Sequence, residues 1–208
     1  MSGLVLWGHP KSINVQKVLW ALDELGLDYQ RRDIAGPFGG QKESSYLALN
    51  PNGLIPTLVD GGEPIWESNA IVRHLYTQYG QTPAHPASAI ARARAGSWHD
   101  WQATTLWPVL RTLLIQLVRT PEPQRDRVQI DGAQKQANAA LGVLDGELKQ
   151  RPYLVGEEFT WGDIPVAASL HRWFSLPIER AASPAVEAYY ASIRKRPGFV
   201  RWVDLPLG

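Results

Sequence analysis

The chain has 208 residues, a formal net charge of +1, 44% hydrophobic and 20% charged residues, nine tryptophans and no cysteine. That is the make-up of a globular protein of one or two domains with enough length for a sizeable core. The near-neutral charge gives no field for nucleic acid or anionic membrane, and no apolar run approaches the ~20 residues of a membrane span. The missing cysteine excludes disulfide scaffolds, cysteine zinc sites and a protein thiol nucleophile, so any thiol chemistry must use a thiol that a ligand brings.

The sequence MSGLVLW runs into a strand pattern without a basic leader and long apolar segment, so the cytoplasm is the expected compartment. Leu4–Trp7 predicts a short buried strand. Val15, Val18, Leu19, Leu22 and Leu25 recur at helical spacing, and Gly26 stops the helix. Residues 28–34 predict a second strand, parallel to the first through a right-handed crossover. GPFGG is a loop, and SSYLALN holds one or two helical turns. Thr57–Val59 and Pro64–Trp66 predict a hairpin about Asp60-Gly61-Gly62. Ser68 is set to cap a helix carrying Ile71, Val72, Leu75 and Tyr79, which Gly80 ends.

Residues 1–80 thus form a small mixed α/β unit, and Gln81–Ser88, with two prolines, reads as a linker. No convincing strand follows. Residues 89–118 predict a long helix that Pro108 kinks or breaks. A helix over 129–148, another from near Asp163 and a last one from Ser183-Pro184 through Ile193 complete an all-helical unit over 89–208.

Three short stretches can carry chemistry. At Ile55-Pro56, a cis bond would turn the Ile55 backbone outward to pair with an extended peptide; an ordinary trans proline at a strand start is the alternative. At Glu67-Ser68, a helix N-terminus beside an acid would suit an α-amino-acid head group; a plain cap beside a surface acid is the alternative. Ser12 and Asn14 stand where the first helix opens. Helix N-termini and nearby cations such as Lys11 stabilise a thiolate, and a hydroxyl or amide donor adds a charge-assisted hydrogen bond. Simple helix capping is the alternative for Ser12.

Taken together, GHPKSINVQKV, NPNGLIPTL and ESNAI resemble the active-site and paired glutathione-binding segments of the cytosolic glutathione S-transferases, in particular serine-dependent members such as the phi and theta classes and their bacterial relatives. GEEFTWGDIPVA is similar to that family's late-helix capping motif, with Thr160 as cap, Asp163 three residues on, and Phe159 with Ile164 as a staple. The resemblance covers essentially the whole chain. It implies an α/β thioredoxin-like N-terminal domain followed by an all-α C-terminal domain. Glu67 and Ser68 would then hold the γ-glutamyl end of glutathione, and Ile55, before a cis Pro56, its cysteinyl backbone. Its sulfur would face Ser12, with Asn14 close by, and Gln41 and Lys42 are the candidates for its glycyl carboxylate. Leu54 stands where plant members often keep a glutamine, so one contact to glutathione is missing.

The same resemblance puts a second substrate against the first helices of the helical unit. Trp98, Trp101, Gln102 and Trp107 would make an aromatic wall for a flat apolar electrophile, although they can equally pack the core, and Arg111 is a candidate anion contact. His99 and Asp100 are neighbours in a helix and point about 100° apart, so no chemistry is assigned to them. The expected function is a glutathione transferase, with glutathione as cosubstrate, no metal, and a homodimer as the assembly. A glutathione-dependent disulfide reductase or peroxidase, or a non-catalytic binding protein of the same fold, are the rivals.

Overall fold

The computed structural model describes residues 3–207. Met1, Ser2 and Gly208, at the outer ends of the two expected units, lie outside the described residues. The order begins β1 (Val5–Trp7), α1 (Ile13–Leu25), β2 (Gln30–Arg32), a 3-10 turn (Gly36–Phe38), α2 (Ser44–Leu47), β3 (Thr57–Asp60), β4 (Glu63–Trp66) and α3 (Ser68–Tyr79). The strands form one sheet in the order β2-β1-β3-β4. β1 pairs parallel to β2 and antiparallel to β3, and β3 pairs antiparallel to β4. In register, Leu6 faces Leu58, and both are fully buried.

α1 packs against α3 through Val15, Val18, Leu19 and Leu22 on one side and Ile71, Val72 and Leu75 on the other, all inaccessible to solvent. Burying each of these side chains contributes roughly 1.5–3 kcal/mol. Gly26 ends α1 in the left-handed conformation, at φ 62°, and its N–H donates to Asp23 O. Only glycine takes that geometry without a steric cost.

The second half is helical: α4 (Ala89–Trp101), α5 (Trp107–Leu114), α6 (Arg127–Leu148), α7 (Asp163–Ser175), α8 (Pro184–Ile193) and α9 (Pro197–Trp202). α7 is its centre, buried at every position from Asp163 to Trp173. α1 reaches across to this half. Trp20 stacks on Phe159 and meets Phe199 edge-on, and Glu24 pairs with Arg196 at 2.6 Å.

The structure revises four details of the expected layout. Pro108 does not break the helix. The backbone keeps helical angles at Gln102 and Trp107, and the turn ahead of the proline widens into a π-helical stretch, Gln102–Leu106. A proline has no N–H to give to the preceding turn, and a widened turn absorbs that loss. A second π-helical stretch, Ile115–Arg119, follows α5. Ser68 is the first residue of α3, not its cap, and Glu67 holds the cap position. Ser183 precedes α8, but its side chain makes no cap bond. Asp145 of α6 accepts from the N–H groups of Ala185 (2.8 Å) and Val186 (3.3 Å) instead. Nor is α8 the last helix, since α9 follows.

The late-helix capping motif is present. Asp163 accepts from the Thr160 N–H at 2.7 Å and from its hydroxyl at 3.2 Å. The regular helix begins at Asp163 itself, and Phe159 spends its ring on Trp20.

Candidate active site

α1 opens at Ser12, which holds the cap position with extended backbone (φ −77°, ψ 125°), yet its side chain makes no capping bond. The capping alternative therefore fails for Ser12. Ser12 lines a cavity of about 470 Å³ together with Asn14, Ile55, Trp107 and Arg111. Asn14 Oδ1 accepts from the Ser68 hydroxyl at 3.3 Å, which ties the opening of α1 to the opening of α3.

At α3, the Ile71 N–H makes the first helical bond, to Glu67 O at 2.9 Å. The N–H groups of Ser68 and Asn69 lie ahead of that ladder and stay available to an anion. Glu67 sits in the left-handed region at φ 70°, which is uncommon for a residue with a side chain and concentrates at functional sites.

The Ile55-Pro56 bond is cis. Strand pairing begins at Thr57, so Ile55 lies outside the ladder and on the cavity wall. The residue before it is held from below: Leu54 O accepts from Tyr46 Oη at 2.6 Å and from Asn50 Nδ2 at 2.8 Å. Gln41 and Lys42 sit against the neighbouring turn, where Lys42 Nζ reaches Asn52 O at 3.4 Å. Gln41 Oε1 is buried and without a hydrogen-bond partner among the described residues.

Beneath these groups lies Lys17, only 2% exposed. Its ammonium reaches Ser68 Oγ (3.4 Å), Asn69 Oδ1 (3.2 Å) and Gln102 Oε1 (3.1 Å). Burial pulls its pKa down to about 7, and the nearby charge of Glu67 opposes that fall. Gln102 Nε2 in turn donates to Ser169 Oγ on α7, and Asn69 Nδ2 to His99 O on α4. One connected polar network thus sets α1, the start of α3 and the helical half relative to one another.

The expected aromatic wall is largely elsewhere. Of its members, Trp107 lines the cavity with Arg111, whereas Trp98, Trp101 and Gln102 do not. Trp98 and Trp101 pack edge-to-face at 5.2 Å, and Gln102 belongs to the network under Lys17. The widened turn between them sets Trp107 and Arg111 out of straight helical phase with Trp98 and Trp101, so the two groups do not share a face. His99 is fully buried, its Nε2–H bonded to Trp161 O at 2.9 Å, and burial lowers its pKa to about 3. It is a neutral core histidine.

Sequence reasoning missed Lys17, His9, Arg119 and Arg172. Lys17 left a trace, as half of a polar pair inside the apolar run VQKVLWAL. A larger recess, about 790 Å³, lies on the far side between the end of α1 and α9. Its polar groups are already engaged, with Trp202 Nε1 donating to Asp23 Oδ2 at 2.7 Å and Arg201 paired to the same carboxylate at 3.3 Å. Among the described residues no group of His, Cys, Asp or Glu could hold a metal ion, and no helix is long and apolar enough to cross a membrane.

Residues 2–77 match the family model for the glutathione S-transferase N-terminal domain, and residues 106–197 match that for the C-terminal domain. The chain belongs to the glutathione S-transferase family. It is 38% identical over 206 residues to glutathione S-transferase GstB of Escherichia coli, covering 98% of this chain and 99% of that one. It is 31% identical over 191 residues to the disulfide-bond oxidoreductase YfcG of the same organism, covering 88% and 87%. Its fold is that of the theta class glutathione S-transferase from Xanthomonas axonopodis pv. citri, solved with glutathione bound, at a TM-score of 0.94, 42% identity and full coverage of both chains. The thioredoxin-like unit followed by a helical unit, expected from the resemblance, is the fold of this family member.

Proposed function

We propose that this member of the family is a glutathione transferase whose Ser12 activates the thiol of bound glutathione. The observation that carries the reading is a serine at a helix opening that lines a cavity and whose side chain makes no capping bond to its own helix. A hydroxyl donor and a helix N-terminus both favour a thiolate over a thiol. The Ser68 and Asn69 N–H groups, with Glu67, receive the γ-glutamyl head group. The Ile55 backbone pairs with the cysteinyl residue, and Gln41 and Lys42 receive the glycyl carboxylate. Asn14 is a second donor toward the sulfur and orients Ser68. The thiolate then attacks an electrophilic small molecule held against Trp107 and Arg111. Juxtaposing the two reactants removes much of the entropic barrier, and the preorganised donors lower the remainder.

In this reading residues 1–80 are the glutathione-binding domain, 81–88 the linker and 89–208 the domain that supplies the electrophile site. The two family matches, at 2–77 and 106–197, support that division. The protein acts in the cytoplasm as a homodimer. Ultraviolet absorbance of the thiolate, followed against pH on the glutathione complex, tests the reading. A bound thiol that titrates like free glutathione would overturn the activation role.

The likeness to a disulfide-bond oxidoreductase, together with Asn14 beside Ser12, favours glutathione-dependent disulfide reduction as a second reading. Turnover of hydroxyethyl disulfide set against turnover of chlorodinitrobenzene separates the two.

A further inference from the structure

The cavity that Ser12 lines carries arginines among its apolar side chains. Arg111 on α5, Arg119 in the π-helical stretch after it and Arg172 on α7 line it, as do His9 and Lys11. No Asp or Glu lines the same cavity. The whole chain carries a net charge of only +1, so this concentration of cations is local and does not reflect a basic protein.

Arg172 is the most telling member. It is 5% exposed. One of its terminal nitrogens donates to Gln16 Oε1 on α1. The other, Nη1, is buried without a hydrogen-bond partner, and no carboxylate among the described residues pairs with this guanidinium. A buried cation costs several kcal/mol unless it is paired and its donors are used. Burial and the neighbouring Arg119 pull the pKa of Arg172 down to about 10, the response expected of a cation lacking a counter-charge. A guanidinium with an unused N–H beside further arginines matches a planar carboxylate, which takes two parallel N–H bonds.

From this we infer that the second substrate is an electrophile bearing a carboxylate, which Arg172 and Arg111 hold while the reactive carbon faces the sulfur near Ser12. The inference rests on the glutathione-activating reading above. Two sources share this chemistry: a small electrophilic acid, and the second half of a glutathione disulfide.

A matched pair of probes isolates the charge, namely 4-chloro-3,5-dinitrobenzoate and its methyl ester. With either, the sulfur of glutathione, its proton already lost to solvent, forms a bond to the chlorine-bearing carbon. The carbon–chlorine bond then breaks, and its electron pair leaves with chloride. The carboxylate is neither made nor broken in that exchange, but it lies para to the chlorine and withdraws electrons less than the ester. Each kcat/KM is therefore divided by that probe's rate constant with free glutathione, and the remaining difference reports how the carboxylate is held.

The expected result is a kcat/KM, so normalised, at least tenfold higher for the acid than for the ester, falling toward unity in Arg111→Gln and in Arg172→Lys. Calorimetry supplies a readout free of turnover. The acid's glutathione conjugate should bind at least tenfold tighter than the ester's, and Arg111→Gln should weaken it far more than it weakens S-methylglutathione. Tight, Arg111-dependent binding of glutathione disulfide without an acid-over-ester preference would assign the carboxylate to the disulfide. Equal binding of the two conjugates, together with disulfide binding that Arg111→Gln leaves unchanged and with S-methylglutathione still bound, overturns the inference and leaves the glutathione site intact. Equal weakening of all ligands by Arg111→Gln also overturns it, because the arginines then serve glutathione itself. No binding of S-methylglutathione removes the underlying reading, and the inference with it.

Discussion

Lys17 Nζ on α1 lies 3.1 Å from Gln102 Oε1 in the π-helical stretch after α4. The same ammonium touches Ser68 and Asn69 at the opening of α3. A single buried cation therefore ties the opening of α3 to α1 and to the seam with the helical half. Its acceptors are all neutral, which is why burial dominates its titration.

The folded-state pKa of Lys17, about 7, lies below the ordinary 10.5. Between those values the unfolded chain holds a proton that the folded chain has released, so stability rises with pH across that window. Between pH 7 and 9 the gain is about 2 kcal/mol. Lys17→Met removes the group. The unfolding free energy of the wild type relative to Lys17→Met, measured by urea titration at pH 7 and pH 9, should therefore increase by that amount. An unchanged difference would mean that Lys17 keeps its proton in the fold.

Ser12 and Asn14 make separable contributions. Ser12 lines the cavity and its side chain makes no capping bond, so Ser12→Ala should leave α1 intact while raising the pKa of bound glutathione. Losing one charge-assisted hydrogen bond of roughly 1.5–3 kcal/mol corresponds to a rise of about one to two units. Asn14 Oδ1 accepts from Ser68, so Asn14→Ala should act chiefly through a higher KM for glutathione and shift the thiol less. Thiolate absorbance and steady-state kinetics on the two variants check both outcomes. Equal effects on the thiol would make Asn14 a full partner in activation.

How far the sequence could be read depended on how local each signal is. β1, α1 and the Asp60–Glu63 hairpin announce themselves through apolar spacing, Gly26 and a glycine pair. Ser12, Asn14 and Ile55 meet on one cavity because the antiparallel pairing of β1 with β3 sets the end of β1, which leads into α1, beside the start of β3. Trp98 and Trp101 do lie together, as helical spacing predicts, but spacing within one helix does not say which neighbour that helix turns toward the cavity, and there it is Trp107 and Arg111, beyond the π-helical stretch, that line it. Arg172 was invisible because its position beside Gln16 is a contact across 156 positions of sequence. No local pattern encodes such a contact.

Asp163 is fully buried at the start of α7 and satisfies three elements at once. Its carboxylate accepts from Thr160 N at 2.7 Å, Leu154 N at 3.1 Å and Tyr189 Oη at 2.9 Å. Burial raises its pKa to about 6 despite these bonds. Asp163→Ala would leave those donors buried and unpaired. Each costs about 1–3 kcal/mol, so the variant should lose on the order of 5 kcal/mol of stability, enough to unfold many domains. Asp163→Asn keeps acceptor capacity on one oxygen and should fall between the two. Urea midpoints for the pair decide the point, and a near-neutral Asp163→Ala would disprove the anchoring role.

His99 contributes one acid-sensitive element to the fold. Its pKa falls to about 3, first through burial and then through the charges of Lys17 and Arg73, while its bond to Trp161 O works the other way. The folded pKa lies below the ordinary 6.5, so between these values the unfolded chain binds a proton that the fold refuses. Stability therefore falls on acidification through this window. Asp163 contributes in the opposite sense between about pH 4 and 6, since its folded pKa is raised and the fold keeps a proton that the unfolded chain has lost. The two offset in the wild type, so its own pH profile hides both. His99→Gln exposes the histidine alone, because a glutamine amide can still donate to Trp161 O and nothing then titrates at that position. Relative to His99→Gln, the wild type should lose about 2 kcal/mol of unfolding free energy between pH 6.5 and 4.5. Parallel curves for the two proteins would show that His99 accepts its proton inside the fold. The neutral, Nε2-protonated ring wedged against Trp161 would then be the wrong description of this core.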